Sequence, residues 1–152
     1  MGNLYERYET NTSAETGGVW VDFGDGVELR IAAFGNPRHQ EVLEELRAPH
    51  QAALSAKKRL PPAVADDITV KSLAAAILVD WRGVTDKAGK ALSYSTGNAE
   101  TLLRDLPRLR DEVAQVALEW QNYRVAVLED DLGNSDAGSD GPSTGASTQT
   151  GS

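Results

Sequence analysis

Two alternating runs on either side of Gly24-Asp25-Gly26 constrain this chain most. Val19-Trp20-Val21-Asp22-Phe23 precedes the glycines and Val27-Glu28-Leu29-Arg30-Ile31 follows them. This is the pattern of a β-hairpin. Directly opposed residues in a hairpin share a face, so the loop length can be tested against side-chain character. A two-residue loop at Asp25-Gly26 pairs Phe23 with Glu28 and Val21 with Arg30, mixing apolar and charged groups. A three-residue loop pairs Phe23 with Val27, Val21 with Leu29 and Val19 with Ile31, which makes one face wholly apolar. The second register is expected, with Gly26 left-handed. A lone hairpin is marginal in water, so its apolar face must lie on helices or its edge must pair with another strand.

Helical spacing dominates the rest. Asn36-Pro37 reads as a cap followed by proline at the first helical position. Val42, Leu43 and Leu46 follow, Pro49 splits the segment, and a second piece runs to about Lys58. Asp66-Asp67 is expected to cap a helix over 66–82 carrying Val70, Leu73, Ala74, Ile77, Leu78 and Trp81, stopped by Gly83. Asp86-Lys87-Ala88-Gly89 is a turn and 91–94 a short extended piece. Ser95 caps a helix over 96–106, and Pro107 opens a last helix expected to reach about Asp130. Leu109, Val113, Val116, Trp120, Tyr123 and Val127 would give that helix a heptad-like seam. The fold class expected is mainly α with a small N-terminal β-hairpin (α+β). Four to five helices lie in a single domain over 18–132. Residues 1–17 read as a flexible N-terminus, and 133–152 as a disordered acidic Gly/Ser/Thr tail.

Charge and composition exclude several function classes. The net charge is −8, and from Glu129 onward there are five acids and no base, leaving 18 acids against 15 bases before it. Such a chain repels phosphate backbones, so no nucleic-acid partner is expected. There is no cysteine, hence no disulfide or thiolate metal site. No apolar run approaches the roughly 20 residues of a membrane span. The first residues lack the basic and apolar segments of a signal peptide, so a cytoplasmic protein is expected.

Chemistry is scarce. His39 and His50 are separated by Pro49 and have no carboxylate cluster at ligand spacing, so both read as capping or solvent-facing. Gly24-Asp25-Gly26 lies between strands and lacks the following Lys-Ser/Thr of a phosphate loop. Asp66-Asp67 and Asp130-Asp131 are adjacent pairs that do not face each other on a helix. No catalytic residue, cofactor or metal site is expected.

A set of short motifs carries a resemblance. Val79-Asp80-Trp81-Arg82-Gly83-Val84-Thr85-Asp86, Tyr94-Ser95, Asn98-Ala99, Leu102-Leu103 and Asp105-Leu106-Pro107-Arg108-Leu109-Arg110-Asp111-Glu112-Val113 occur in that order. With Asn36-Pro37-Arg38, Asn122-Tyr123-Arg124 and Glu129-Asp130-Asp131, the set resembles the tail assembly chaperones of long-tailed (siphovirus-type) phages over residues 19–132. One departure is Thr96-Gly97 where that pattern has Pro-Glu, which weakens the helix start by ~1 kcal/mol.

The resemblance implies a non-catalytic protein that binds the tape measure protein, keeps it soluble and helps tail tube protein assemble around it. It would act in the host cytoplasm and be absent from the mature virion. A tape measure exposes apolar helical stripes, so matching grooves are needed. The candidate partner-binding residues are Trp120, Tyr123 and Val127 on the seam, with Trp81 and Tyr94. The alternative is a structural virion protein, such as a head–tail connector, neck or decoration subunit, using the hairpin edge. A free edge and a heptad-like seam also invite self-association.

Overall fold

The computed structural model describes residues 2–125, 127 and 128. The tail expected over 133–152 lies outside the described residues. The fold is mainly helical with a three-stranded antiparallel sheet, so the α+β class is as expected. Strands β1 (Val19–Gly24), β2 (Val27–Ile31) and β3 (Leu78–Arg82) lie in the order β1-β2-β3. Seven α-helices and two 3-10 turns are set out along the described chain, and Val125, Val127 and Leu128 are again helical. Helices α1 (Leu4–Tyr8) and α2 (Thr12–Gly17) precede the hairpin, and α3 (Pro37–Arg47), α4 (Gln51–Ser55) and α5 (Pro62–Ala76) follow it. Helices α6 (Thr96–Asp105) and α7 (Pro107–Leu118) come after β3.

The hairpin reaches the expected register by a different turn. Val19 faces Ile31 and Val21 faces Leu29, but Gly24 rather than Phe23 faces Val27. Asp25 (φ 54°) and Gly26 (φ 79°) form a two-residue turn with both residues left-handed. Asp-Gly is the favoured pair for such a turn because its twist matches that of the strands. Phe23 is then an extra residue on β1, a bulge that shifts the pairing by one and restores the apolar face.

The second correction concerns 66–82. The helix begins at Pro62, not at Asp66-Asp67, and ends at Ala76. Leu78–Arg82 is a strand paired with β2. The hairpin's need for an outside partner is met here. Leu29 faces Trp81 on the inner side, while Glu28 faces Arg82 and Arg30 faces Asp80 on the outer side. The outer pairs are of opposite charge, which favours this register. Gly83 is left-handed (φ 74°), and a Cβ there would run into the carbonyl of Gly26. It seats the end of β3 against the hairpin turn rather than closing a helix.

The third correction is the last helix. It stops at Leu118, and Trp120–Tyr123 forms a 3-10 turn. The heptad-like seam is therefore interrupted between Val116 and Trp120. The N-terminal stretch, for which no regular element was expected, holds two short capped helices, Leu4–Tyr8 and Thr12–Gly17. Asn3 caps α1 and Asn11 caps α2 through their side-chain oxygens. The arm pairs with the far end of the chain, as Asn11 N–H donates to Tyr123 C=O (2.8 Å) and Val125 N–H to Glu9 C=O (2.9 Å).

Elsewhere the expected caps are found. Asn36 caps α3 with Pro37 in its first turn, Pro49 breaks the segment into a 3-10 turn and α4, and Ser95 caps α6. The core gathers Leu29 and Ile31 of β2, Val70, Leu73 and Ala74 of α5, Leu78 and Trp81 of β3, and Leu103 and Val113 of α6 and α7. Residues 32–36 tie the layers together. Ala32 N–H donates to Ile77 C=O, Ala33 N–H to Glu15 C=O and Phe34 N–H to Ala117 C=O (2.8, 2.7 and 3.0 Å). Asn36 Nδ2 donates to the Ala33 and Ala76 carbonyls.

Candidate partner-binding surface

The five expected binding residues separate into two groups. Tyr123 is fully buried, and its hydroxyl donates to Ile31 C=O at 3.0 Å. Burial pushes its pKa far up, so the phenol stays neutral and keeps that proton. Trp81 is buried and donates from Nε1 to Leu92 C=O (2.7 Å), with Tyr94 edge-on at 5.1 Å between ring centroids. Half-buried Tyr94 donates its hydroxyl to Leu78 C=O (2.7 Å), and burial raises its pKa as well. These three rings hold β2, β3 and the 84–94 loop in place and do not offer a groove. Val127 is half-buried.

Trp120 belongs to a surface. It is 39% exposed and stacks on Tyr8 of α1, with centroids 5.5 Å apart. Leu4 lies one turn before Tyr8 on the same face of α1, and Tyr5 (78% exposed) adjoins it. Leu118, also exposed, ends α7 two residues before Trp120. Five of the seven exposed large apolar side chains among the described residues thus come from α1 and from 118–120. Arg7 lies over Tyr8 and Arg124 over Trp120, each at 5.8 Å. Among the described residues, Tyr5, Tyr8 and Trp120 have no side-chain hydrogen bond, whereas Arg124 is held to Glu6 C=O (3.2 Å). Trp, Tyr and Arg together are the residue types that dominate binding energy at protein interfaces. Arginine over an aromatic face adds about 0.5–1 kcal/mol at exposed sites.

Sequence reasoning found Trp120 and missed Tyr5, Tyr8 and Leu4, because 1–17 reads as polar and loose. The caps Asn3 and Asn11 were the available signal: each begins a short helix, and the first places Leu4 and Tyr8 on one face.

His39 departs from the solvent-facing expectation and meets the capping one, at the start of α3. It is 1% exposed, its Nδ1 accepts from Gly35 N–H (2.9 Å), and Phe34 packs edge-on against it (4.3 Å). Burial, then the charge of Arg47, lowers its pKa. It is a neutral core residue whose accepting nitrogen is already engaged. Among the described residues no group of three His, Asp or Glu side chains could hold a metal ion. No described helix is long and apolar enough to cross a membrane.

No curated protein and no solved structure matches this chain. The model of the YdaY prophage protein family matches residues 34–134, from the hub that joins the layers through β3, α6, α7 and Trp120. That match spans more than half of the chain, and the chain belongs to the YdaY prophage protein family.

Proposed function

We propose that this phage protein is a non-catalytic tail assembly chaperone that binds the tape measure protein in the host cytoplasm and assists tail tube assembly. The observation that carries this reading is the exposed aromatic patch of Tyr8, Trp120, Tyr5, Leu4 and Leu118. Large apolar residues gathered at one end of a soluble fold are costly unless something covers them. An apolar helical stripe fits such a patch, with rings as anchors and Arg7 and Arg124 at its polar border. Membership of a prophage family and the ordered motifs from Asp80 to Val113 support the same reading.

Co-expression with the tape measure protein of the same phage tests it. The tape measure is expected to become soluble and to co-purify with this chain, and Trp120→Ala with Tyr8→Ala is expected to return it to the insoluble fraction. Mass spectrometry of purified virions is expected to find this chain at trace level or not at all. Abundant copies in the particle would identify a connector, neck or decoration subunit instead.

A further inference from the structure

The outer edge of β1 borders an open cleft that no described segment fills. β1 pairs only with β2, and apart from Gly24 N–H, which donates to Asp22 Oδ1 (2.8 Å), no backbone group of residues 19–24 is hydrogen-bonded outside that pairing among the described residues. Beside that edge a cleft of about 590 Å³ runs between β1 and α7, lined by Val21, Asp22, Phe23, Glu112, Gln115 and Val116. It lies where the inward side chains of a fourth strand would point. Val21, Phe23 and Val116 are half-buried and lean on the core, so its floor is apolar. Asp22 and Glu112 are exposed, neither forms an ion pair among the described residues, and no base lines the cleft.

We propose that this cleft is a second docking site, and that it takes an extended partner segment in which apolar residues alternate with Lys or Arg. The segment adds a strand to β1, so its backbone completes the unpaired edge. Its inward apolar side chains cover Val21, Phe23 and Val116, its outward cations meet Asp22, and a cation at the end of the segment reaches Glu112 on the rim. Charge selects this occupant over two others. The chain's own segment 129–152 carries five acids and no base, so it is repelled by an acidic rim. Pairing β1 with a second copy about a two-fold axis brings two acidic rims together with no base on either. The cleft shares no lining residue with the aromatic patch, so the proposal goes beyond the chaperone reading and is tested apart from it.

The test uses the full chain and a synthetic peptide, acetyl-Lys-Val-Lys-Val-Lys-Val-Lys-amide, followed by amide chemical shifts. Shifts are expected on residues 19–24 and along the Glu112–Val116 face. Glu112→Lys with Gln115→Lys changes only exposed side chains of α7 and is expected to weaken binding about tenfold or more. The same peptide N-methylated at alternate residues, on the edge that meets β1, is expected to lose binding altogether. The proposal would be overturned by equal binding of the N-methylated peptide, which means charge alone; by no binding at millimolar peptide; or by concentration-dependent dimers whose interface maps to β1. Shifts confined to Tyr8 and Trp120 would also overturn it while leaving the chaperone reading intact.

Discussion

Trp81, Tyr94 and Tyr123 bury their rings and give their polar hydrogens to backbone carbonyls at 2.7–3.0 Å, whereas Tyr5, Tyr8 and Trp120 do neither. The two sets use the same residue types for opposite ends. A buried ring whose N–H or O–H is engaged cannot turn toward a partner without orphaning that group, so it belongs to the fold. A ring without such a bond is free to exchange water for another protein. Aromatics make up only 6% of this chain, which makes the division informative. Rings are scarce, and of the four exposed ones among the described residues, Tyr5, Tyr8 and Trp120 come from α1 and the turn after α7, with Phe34 apart from them.

The largest effect should come from the interior set. Tyr123→Ala removes a fully buried ring and leaves the Ile31 carbonyl without its donor. A loss of about 3–5 kcal/mol is expected, lowering Tm by on the order of 10 °C. A thermal melt within ~2 °C of the parent would mean that Tyr123 is not the pillar described. Tyr123→Phe keeps the ring and removes only the hydroxyl, so the expected cost falls to about 1 kcal/mol. Trp81→Phe should behave similarly, since Leu92 C=O loses its indole donor.

These residues also show what was legible beforehand. The hairpin register was readable because both strands alternate with period two, and one-residue slips would bury Glu28 and Arg30. The turn was not, because a bulge at Phe23 lets a two-residue turn produce the pairing expected of a three-residue one. The strand at Leu78–Arg82 was hidden because Leu73, Ile77 and Trp81 also fit a helical stripe, and a continuous apolar run fits both periods. The opposite-charge pairs Glu28–Arg82 and Arg30–Asp80 were the discriminating clue. The seam through Trp120 and Tyr123 failed for a tertiary reason. No glycine or proline breaks it, but Tyr123 is drawn inward to Ile31 C=O and Arg124 bridges to Thr10. The surface patch was half legible, since Trp120 was visible and its α1 partners lay in a stretch read as featureless.

A smaller effect comes from the pair that spans interior and surface, buried His39 against half-exposed Phe34. The folded pKa of His39 lies below the unfolded value of 6.5. Protonation therefore favours the unfolded chain. The stabilisation is fully present above about pH 6.5 and is lost as pH falls through the lowered folded value. Between pH 7.5 and 5 the parent should lose Tm, and His39→Gln should lose less over the same range. Equal losses in both proteins would show that His39 does not titrate with unfolding.

The smallest effect on stability, and the largest on binding, is expected from the exterior set. Trp120→Ala and Tyr8→Ala remove one exposed stack and two weak cation–π contacts, with no buried hydrogen bond and no cavity. Changes at such surface positions usually stay within about 0.5 kcal/mol, and the stack could add about as much again. Capture of the tape measure protein should nevertheless fall at least tenfold in the double variant, because exposed rings contribute when a partner desolvates them. The same assay on Tyr123→Phe should show parental capture once folding is verified by the melt. If instead the patch variants melt early and bind normally, the exposed rings serve to hold α1 on the fold. The division between structural and binding aromatics would then fail at the place where it was drawn.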